Sequence, residues 1–418
     1  MAALKTGTHQ TLPRASVMET LSFFSSVVLP LLGKGVILRR PPMVELAQRL
    51  GLDGRALRTV QGLRDRHGEG PLLLPVPFHP YALILVPGHA TRVLAESPEP
   101  FATASDEKHA ALSHFDPHGV LISGSRERAL RRPYNEAVLD TPCPEHRLAE
   151  RFLSIVEEEA ARLVSEADER GELDWGRFAS VWWQMARRVV LGDGARDDHA
   201  LADSLARLRG DANWAFLHPK RRRLQEHFFA RLEEHLQRAE PDSLAAIMAT
   251  IPAAAGVEPA QQVPQWLFAL DAPARATFRT LALLGTHPVK RARAEAEIAS
   301  GSREMPFLRA CVLDTLRLWP TTPVVLRQAT ADVEWENGIL PRGAGVIVYT
   351  PFFHRDEARL PQAHRFAPET WLGSRPEDRA LIPFSDGSAR CPGRNLSLLL
   401  SSAMLEQTPF IRVHSRRL

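Results

Sequence analysis

The chain is 418 residues long, 44% hydrophobic and 24% charged, an ordinary globular balance. Its formal net charge of +3 is small for that length, so bulk nucleic-acid binding is not implied. Three cysteines, Cys143, Cys311 and Cys391, with no pair in CxxC spacing, exclude a disulfide framework and a cysteine-rich zinc site and fit a reducing, cytoplasmic setting.

Near the start, LSFFSSVVLPLL (Leu21 to Leu32) is apolar but holds serines and a proline. It falls short of the ~20 residues that a membrane-spanning helix needs. GKGVILRR follows, with no small-residue cleavage site, so the stretch is read as a buried helix or one resting on a greasy surface. No transmembrane segment is expected. GPLLLPVPFHPYALILVPG (Gly70 to Gly88) reads as two strands around a proline-marked turn, and ATRVLAESPEPF begins as a helix that ends at prolines. From Glu145 to about Gln237 the apolar spacing is helical. A loop over Ile251 to Pro264 leads into a long helix that stops near Gly285 and Pro288. REMPFLRACVLDTLRLWP is a further helix, ended by Pro320.

Strands follow, VVLRQAT and then VEWENGILPRGAGVIVYT, where Asn337-Gly338 is a hairpin signal. Residues 351–390 look irregular, rich in Pro, Asp and Arg. The last helix is rich in leucine. Helices dominate and strands gather near the two ends, which predicts a mainly α chain of α+β class with one core. No internal repeat, GxGxxG after a strand, GxxxxGK[ST] or HExxH occurs, and Pro117 separates His114 from His118. A bound nucleotide, a built-in flavin domain and a histidine metal site are therefore not expected.

PFSDGSARCPGRNLSLLL (Pro383 to Leu400) places Cys391 at the entrance of an apolar helix, between Gly387 and Gly393 and flanked by Arg390 and Arg394. A helix N-terminus and nearby cations favour thiolate, and glycines let the backbone pass close to something flat. Read locally, Cys391 is either a reactive or metal-binding thiolate or a buried cysteine at a helix start. Basic runs at Arg126, Arg128, Arg131 and Arg132, and at Lys220 to Arg223, read as solvated helix faces.

The order Phe384, Gly387, Cys391, Gly393 resembles the cysteine loop of the cytochrome P-450 family, the haem-thiolate monooxygenases, here of the soluble bacterial type. DTLRLWP resembles the family's helix with an acid–x–x–Arg pair, here Asp314 and Arg317. HRFAPETWL resembles the meander whose arginine completes that ion-pair network, here Arg365. VVLRQAT and GVLISGSRERALRR also resemble family segments. The likeness runs from about Gly70 to the C-terminus, with residues 1–69 an N-terminal helical region of the same single domain, 1–418. It implies a helical core with small β-sheets and heme b (iron protoporphyrin IX) between a central helix and the cysteine loop. It further implies that Cys391 is the iron ligand, that Arg131 and Arg327 pair with the haem propionates, and that Leu267, Phe268, Ala272, Val324 and Val325 face an apolar substrate. Electrons would come from a separate ferredoxin and ferredoxin reductase, docking on the first basic run.

Four departures qualify the likeness. The family's cation two residues before the cysteine is replaced by Ala389, with Arg390 next. Glu127 stands where a histidine or tryptophan is usual before Arg131, so His354 is a candidate substitute cation. Asp314 replaces glutamate. ALDAP gives Ala269 and Asp271 but puts Ala272 in place of the usual threonine, with Pro273 next. Pro273 offers no N–H to the Ala269 carbonyl and opens the helix there. Asp271 then either relays protons, with water on Ala269, or pairs with a nearby arginine. The resemblance implies insertion of one oxygen atom from dioxygen into an apolar small molecule, such as a terpenoid, steroid or fatty acid. Two alternatives stay open: a peroxide-using peroxygenase on the same fold, and a haem-binding carrier or sensor without turnover.

Overall fold

Strands from the two ends of the chain meet in one sheet, which accounts for their distribution in the sequence. The computed structural model describes residues 11–77, 79–373 and 380–408. Its strands are Leu72–Leu74 (β1), Tyr81–Leu83 (β2), Phe101–Ala102 (β3), Val324–Ala329 (β4), Val333–Trp335 (β5), Gly338–Leu340 (β6) and Gly345–Tyr349 (β7). The larger sheet has the order β1-β2-β7-β4-β3, in which β2 and β7 run parallel, Tyr81 opposite Gly345. β5 and β6 form the expected hairpin, with Trp335 opposite Gly338 and Glu336 and Asn337 between them. β7 is buried along its whole length because strands flank it on both sides. β4 alternates, burying Val325, Arg327 and Ala329 on one face. Arg327 is therefore a charge at an inward position.

The helices that frame the site follow in chain order. They are Val17–Lys34 (α1, with a π-helical turn over Phe24–Val28), Pro41–Arg49 (α2), Leu52–His67 (α3), Pro87–Ala95 (α4), Asp106–Leu112 (α5) and Ser125–Val138 (α6). Ala149–Arg170 (α7), Trp175–Leu191 (α8), His199–Ala212 (α9) and Arg222–Arg238 (α10) fill the stretch expected to be helical. Then come Val263–Ala269 (α11), Asp271–Thr286 (α12), Pro306–Leu318 (α13) and Arg394–Gln407 (α14). α11 and α12 are the two halves of the central helix, interrupted at Leu270 as Pro273 requires. The indole of Trp182 donates to Leu270 O at 2.8 Å and stabilises the interruption from α8.

The apolar interior falls into two main clusters. One joins α6 to α14 around Phe152, Phe178, Trp182 and Leu400; the other joins the sheet to α1, α3 and α4. α1 is longer than the apolar stretch suggests. At 18 residues it reaches about 27 Å and is the one described helix long and apolar enough to cross a membrane. One side of it, Phe23 and Val27, is buried in the sheet cluster together with Val60 and Leu63 of α3. Val17, Met18, Leu21, Leu29 and Leu32 lie exposed on the other.

Candidate functional site

The cysteine loop is fixed from three sides. Gly387 has φ +64°, and a Cβ there would fall 2.1 Å from Leu94 O, so only glycine lets the loop meet the end of α4. Cys391 N–H donates to Phe384 O at 2.9 Å, closing the loop on itself. From α6 and the turn beyond it, Arg132 Nη2 donates to Arg390 O at 2.7 Å and Thr141 Oγ1 to Pro392 O at 2.9 Å. Phe384 packs against the helical cluster. Gly393 is the contrary case: a Cβ there would meet nothing within 4 Å, so this side of the loop faces open space.

Cys391 itself is half-buried. Burial pushes its thiol above the ordinary value, outweighing the Gly393 N–H and the charges of Arg132 and Arg394. Without a metal, the helix start and the nearby arginines do not outweigh that burial. Arg390 turns outward to Asp386, 2.5 Å away. A metal cation in contact with the sulfur would reverse this balance.

Beside the loop lie two buried cations, Arg327 and Arg128, and a third that is partly buried, Lys108. Arg327 is 3% exposed, donating to Ser97 Oγ at 2.9 Å and to Leu326 O at 2.9 Å. Arg128 is 5% exposed, its Nη2 3.3 Å from Ser388 O in the cysteine loop. Lys108 of α5 donates to Thr103 O at 2.7 Å and Leu326 O at 2.8 Å. None has a carboxylate ion-pair partner among the described residues. Burial pushes Arg128 and Arg327 down to about 10, with Arg128 adding to the effect on Arg327. Lys108 is held well below its usual value by burial and then by both arginines. Three cations without a counter-ion form a receptacle for anionic groups.

Arg131 does not join them. It donates to Ser123 Oγ at 2.9 Å and pairs with Glu258. Half of the basic run on α6 is buried, since Arg128 and Arg131 both point inward. That corrects its reading as a solvated face. His354 is no substitute cation either: it is buried, and its Nε2 accepts from Ile382 N–H at 3.0 Å. Arg128 was legible only as one of four basic residues, and nothing in the sequence singled out Lys108.

On the central helix, Arg209 and Arg275 both donate to Asp271 Oδ2, at 3.1 and 3.2 Å. The ion-pair reading of Asp271 is what the geometry shows. Phe268, Ala269 and Ala272 at the interruption remain only partly buried, as does Val324 on β4. Leu267 and Val325 are buried, at 2% and 8% exposure, in the helical and sheet clusters. Each is a neighbour in sequence of an open position, turned about 100° along a helix or to the opposite face of a strand. α12 packs on α14, which brings this helix over the cysteine loop.

Asp314 and Arg317, 0% and 1% exposed, form a buried pair at 2.6 Å. Asp314 also accepts from Ala367 N–H at 2.7 Å and Trp371 Nε1 at 3.1 Å. Arg317 donates to the carbonyls of His354, Ala363 and Arg365 at 3.0, 2.8 and 2.7 Å. Arg365 therefore completes the network through its backbone. Its side chain is exposed, without a carboxylate partner among the described residues, because the meander needs its carbonyls turned inward.

Comparison with known proteins agrees with this arrangement. The family model "Cytochrome P450" matches residues 276–408. That stretch holds Asp314, Arg317, Arg327, Phe384 and Cys391, whereas Arg128 and Asp271 lie outside it. Similar curated proteins include cyclooctat-9-en-7-ol 5-monooxygenase of Streptomyces melanosporofaciens, 31% identical over 34% of this chain and 35% of the relative. Ent-kaurenoic acid oxidase 2 of Arabidopsis thaliana is 32% identical over 28% of this chain and 24% of the relative. Beta-amyrin 24-hydroxylase of Glycine max is 30% identical over 28% and 27% respectively. The matches thus span about a quarter to a third of these relatives' lengths. The cysteine loop and the buried Asp314–Arg317 pair both fall within the matched residues, and over that stretch the chain is similar to the cytochrome P450 family.

Proposed function

We propose that the protein is a haem-thiolate monooxygenase that inserts one oxygen atom from dioxygen into an apolar small molecule. The observation that carries this reading is the pairing of Cys391 with a set of buried and partly buried cations that have no carboxylate partner among the described residues. Haem fits these residues. It presents one metal for the sulfur and two propionates for Arg128, Arg327 and Lys108, and the open side of Gly393 admits a flat ring. When bound, haem supplies the activation of dioxygen that no side chain provides.

The chain's own residues have separable roles in this proposal. Arg128, Arg327 and Lys108 orient the cofactor by charge. Phe268, Ala272 and Val324 shape the space for substrate and exclude bulk water. Protons enter at the interruption of the central helix, where Asp271 serves as relay when Arg209 or Arg275 releases it. A peroxide-using reading stands second. Ala272 in place of a hydroxyl residue, and the two arginines that hold Asp271, both favour it. The relatives named above act on cyclooctat-9-en-7-ol, ent-kaurenoic acid and beta-amyrin by their names, which supports an apolar substrate of that general kind.

Electrons are proposed to arrive from a separate ferredoxin and its reductase, and the three free thiols fit a cytoplasmic protein. The decisive test is the carbon monoxide difference spectrum of haem-loaded protein. The wild type should show the red-shifted band of a thiolate haem, and Cys391→Ser should abolish it. The same band surviving in Cys391→Ser would remove the assignment. Product formed with a surrogate redox pair and dioxygen, against product formed with peroxide alone, separates the two readings, and neither would leave a carrier.

A further inference from the structure

Four arginines converge on one side of the central helix. Arg275 and Arg279 come from α12, Arg209 from α9, and Arg39 from the segment after α1. Arg209 and Arg275 share Asp271 Oδ2. Arg39 Nη2 donates to Thr321 O at 2.9 Å, two residues beyond the Trp319 ring that the Arg279 guanidinium faces at 5.9 Å. Arg209 lies 5.0 Å from the centre of the Phe268 ring, is 3% exposed, and has a buried Nε with no partner.

The charges here do not balance. Asp271 is the one carboxylate bonded to any of the four among the described residues. Asp53, the next whose field reaches Arg39 and Arg279, is taken by Lys34 at 2.6 Å. Burial, then Arg275 and Arg39, push Arg279 down to about 10, which shows that the guanidiniums feel one another. Aromatic faces offset part of the cost of holding them together, but a surplus of positive charge remains, buried at Arg209 and partly buried at the other three. The cluster bridges the two walls expected to meet substrate, Phe268 and Ala272 on one side and the 321–324 segment on the other. Ala272, Arg279, Thr321 and Val324 are only partly buried, so solvent reaches this face.

We infer that the substrate is an amphiphile whose apolar part lies toward Phe268 and Val324 and whose acidic end, a carboxylate or phosphate, is held by Arg39, Arg209, Arg275 and Arg279. Guanidinium forks suit both groups because each presents paired oxygens. This deepens the monooxygenase reading and rests on it.

Equilibrium dialysis of the haem-loaded protein against straight-chain ligands of octyl to hexadecyl length tests the point. Four arms are compared at each length: carboxylic acid, alkyl phosphate, methyl ester and alcohol. At least one acidic arm should bind about tenfold or more tighter than the ester and alcohol, and which arm leads identifies the headgroup. Arg279, whose side chain makes no hydrogen bond among the described residues, is replaced: Arg279→Gln should reduce that preference to about threefold or less, and Arg279→Lys should restore part of it. Equal affinities across the arms, no acid bound at any length, or an undiminished preference in Arg279→Gln would overturn the inference. The carbon monoxide band is recorded on the same samples, so an intact band with no acid preference refutes the headgroup alone, whereas loss of the band refutes the monooxygenase reading.

Discussion

Arg128 and Arg131 stand three residues apart on α6 and are buried to nearly the same degree, at 5% and 7% exposure, yet only one of them has a carboxylate partner. Glu258 neutralises Arg131, while Arg128 keeps its charge beside Ser388 and shares the field of Arg327. A charge-assisted contact contributes about 1.5–3 kcal/mol, so removing Arg128 should weaken cofactor retention by about tenfold or more. Transfer of haem from the holoprotein to an excess of apomyoglobin measures this directly. Arg128→Ala should release haem at least several-fold faster than Arg131→Ala, whose main effect should be on stability, since it leaves Glu258 with His118 alone. Faster release from Arg131→Ala would return the propionate role to the position that the family resemblance indicates. The spacing alone allowed either residue, because positions i and i+3 share a helix face. What divides them is Glu258, 127 residues further along the chain.

At the scale of the element, α13 and the meander behave as one unit. Asp314 and Arg317 occupy one face of a 13-residue helix, and between them they hold backbone groups of residues 354 to 367 that form no regular ladder of their own. Breaking a buried pair by removing one partner costs about 3–5 kcal/mol, because the other charge is left uncompensated. Arg317→Ala should therefore lower the free energy of unfolding in urea by that amount, whereas Arg365→Ala should change it by less than ~0.5 kcal/mol. Equal losses would mean that the Arg365 side chain does belong to the network. The example also shows how far the sequence could be read. The acid–x–x–Arg spacing, the cysteine loop, the proline interruption of the central helix and the hairpin at Asn337-Gly338 are local signals, and each is present in the fold. Lys108, the outward turn of Arg365 and the burial of Leu267 and Val325 depend on which carbonyls or apolar surfaces lie opposite in space. Such facts are set by tertiary packing and leave no periodicity to find. α1 falls between the two cases: its apolar character was plain, but its full length was hidden by the polar residues at its start.

Across the whole molecule, one histidine ties the helical network to the cysteine loop. His354 receives Arg317 on its carbonyl and the Ile382 N–H on its Nε2, and Ile382 O in turn accepts Ser385 N–H on the way to Cys391. Since Nε2 is an acceptor, the proton sits on Nδ1, which is buried without a partner. Burial, and after it the charge of Arg317, pushes this imidazole down to about 3, so it stays neutral in the folded protein while an exposed histidine protonates near 6.5. The folded form therefore binds fewer protons than the unfolded form between those two values. Stability from this group is complete above pH 6.5 and falls as the pH drops toward 3, by about 1.4 kcal/mol per pH unit. Between pH 7.5 and pH 5 the loss should reach about 2 kcal/mol. His354→Gln keeps an acceptor for Ile382 but cannot titrate. In urea denaturation it should therefore lose about 2 kcal/mol less than the parent over the same interval, whatever its stability at pH 7.5. An identical loss in both proteins would show that His354 is not held neutral, and the acid sensitivity of the fold would then have to originate in its carboxylate pairs.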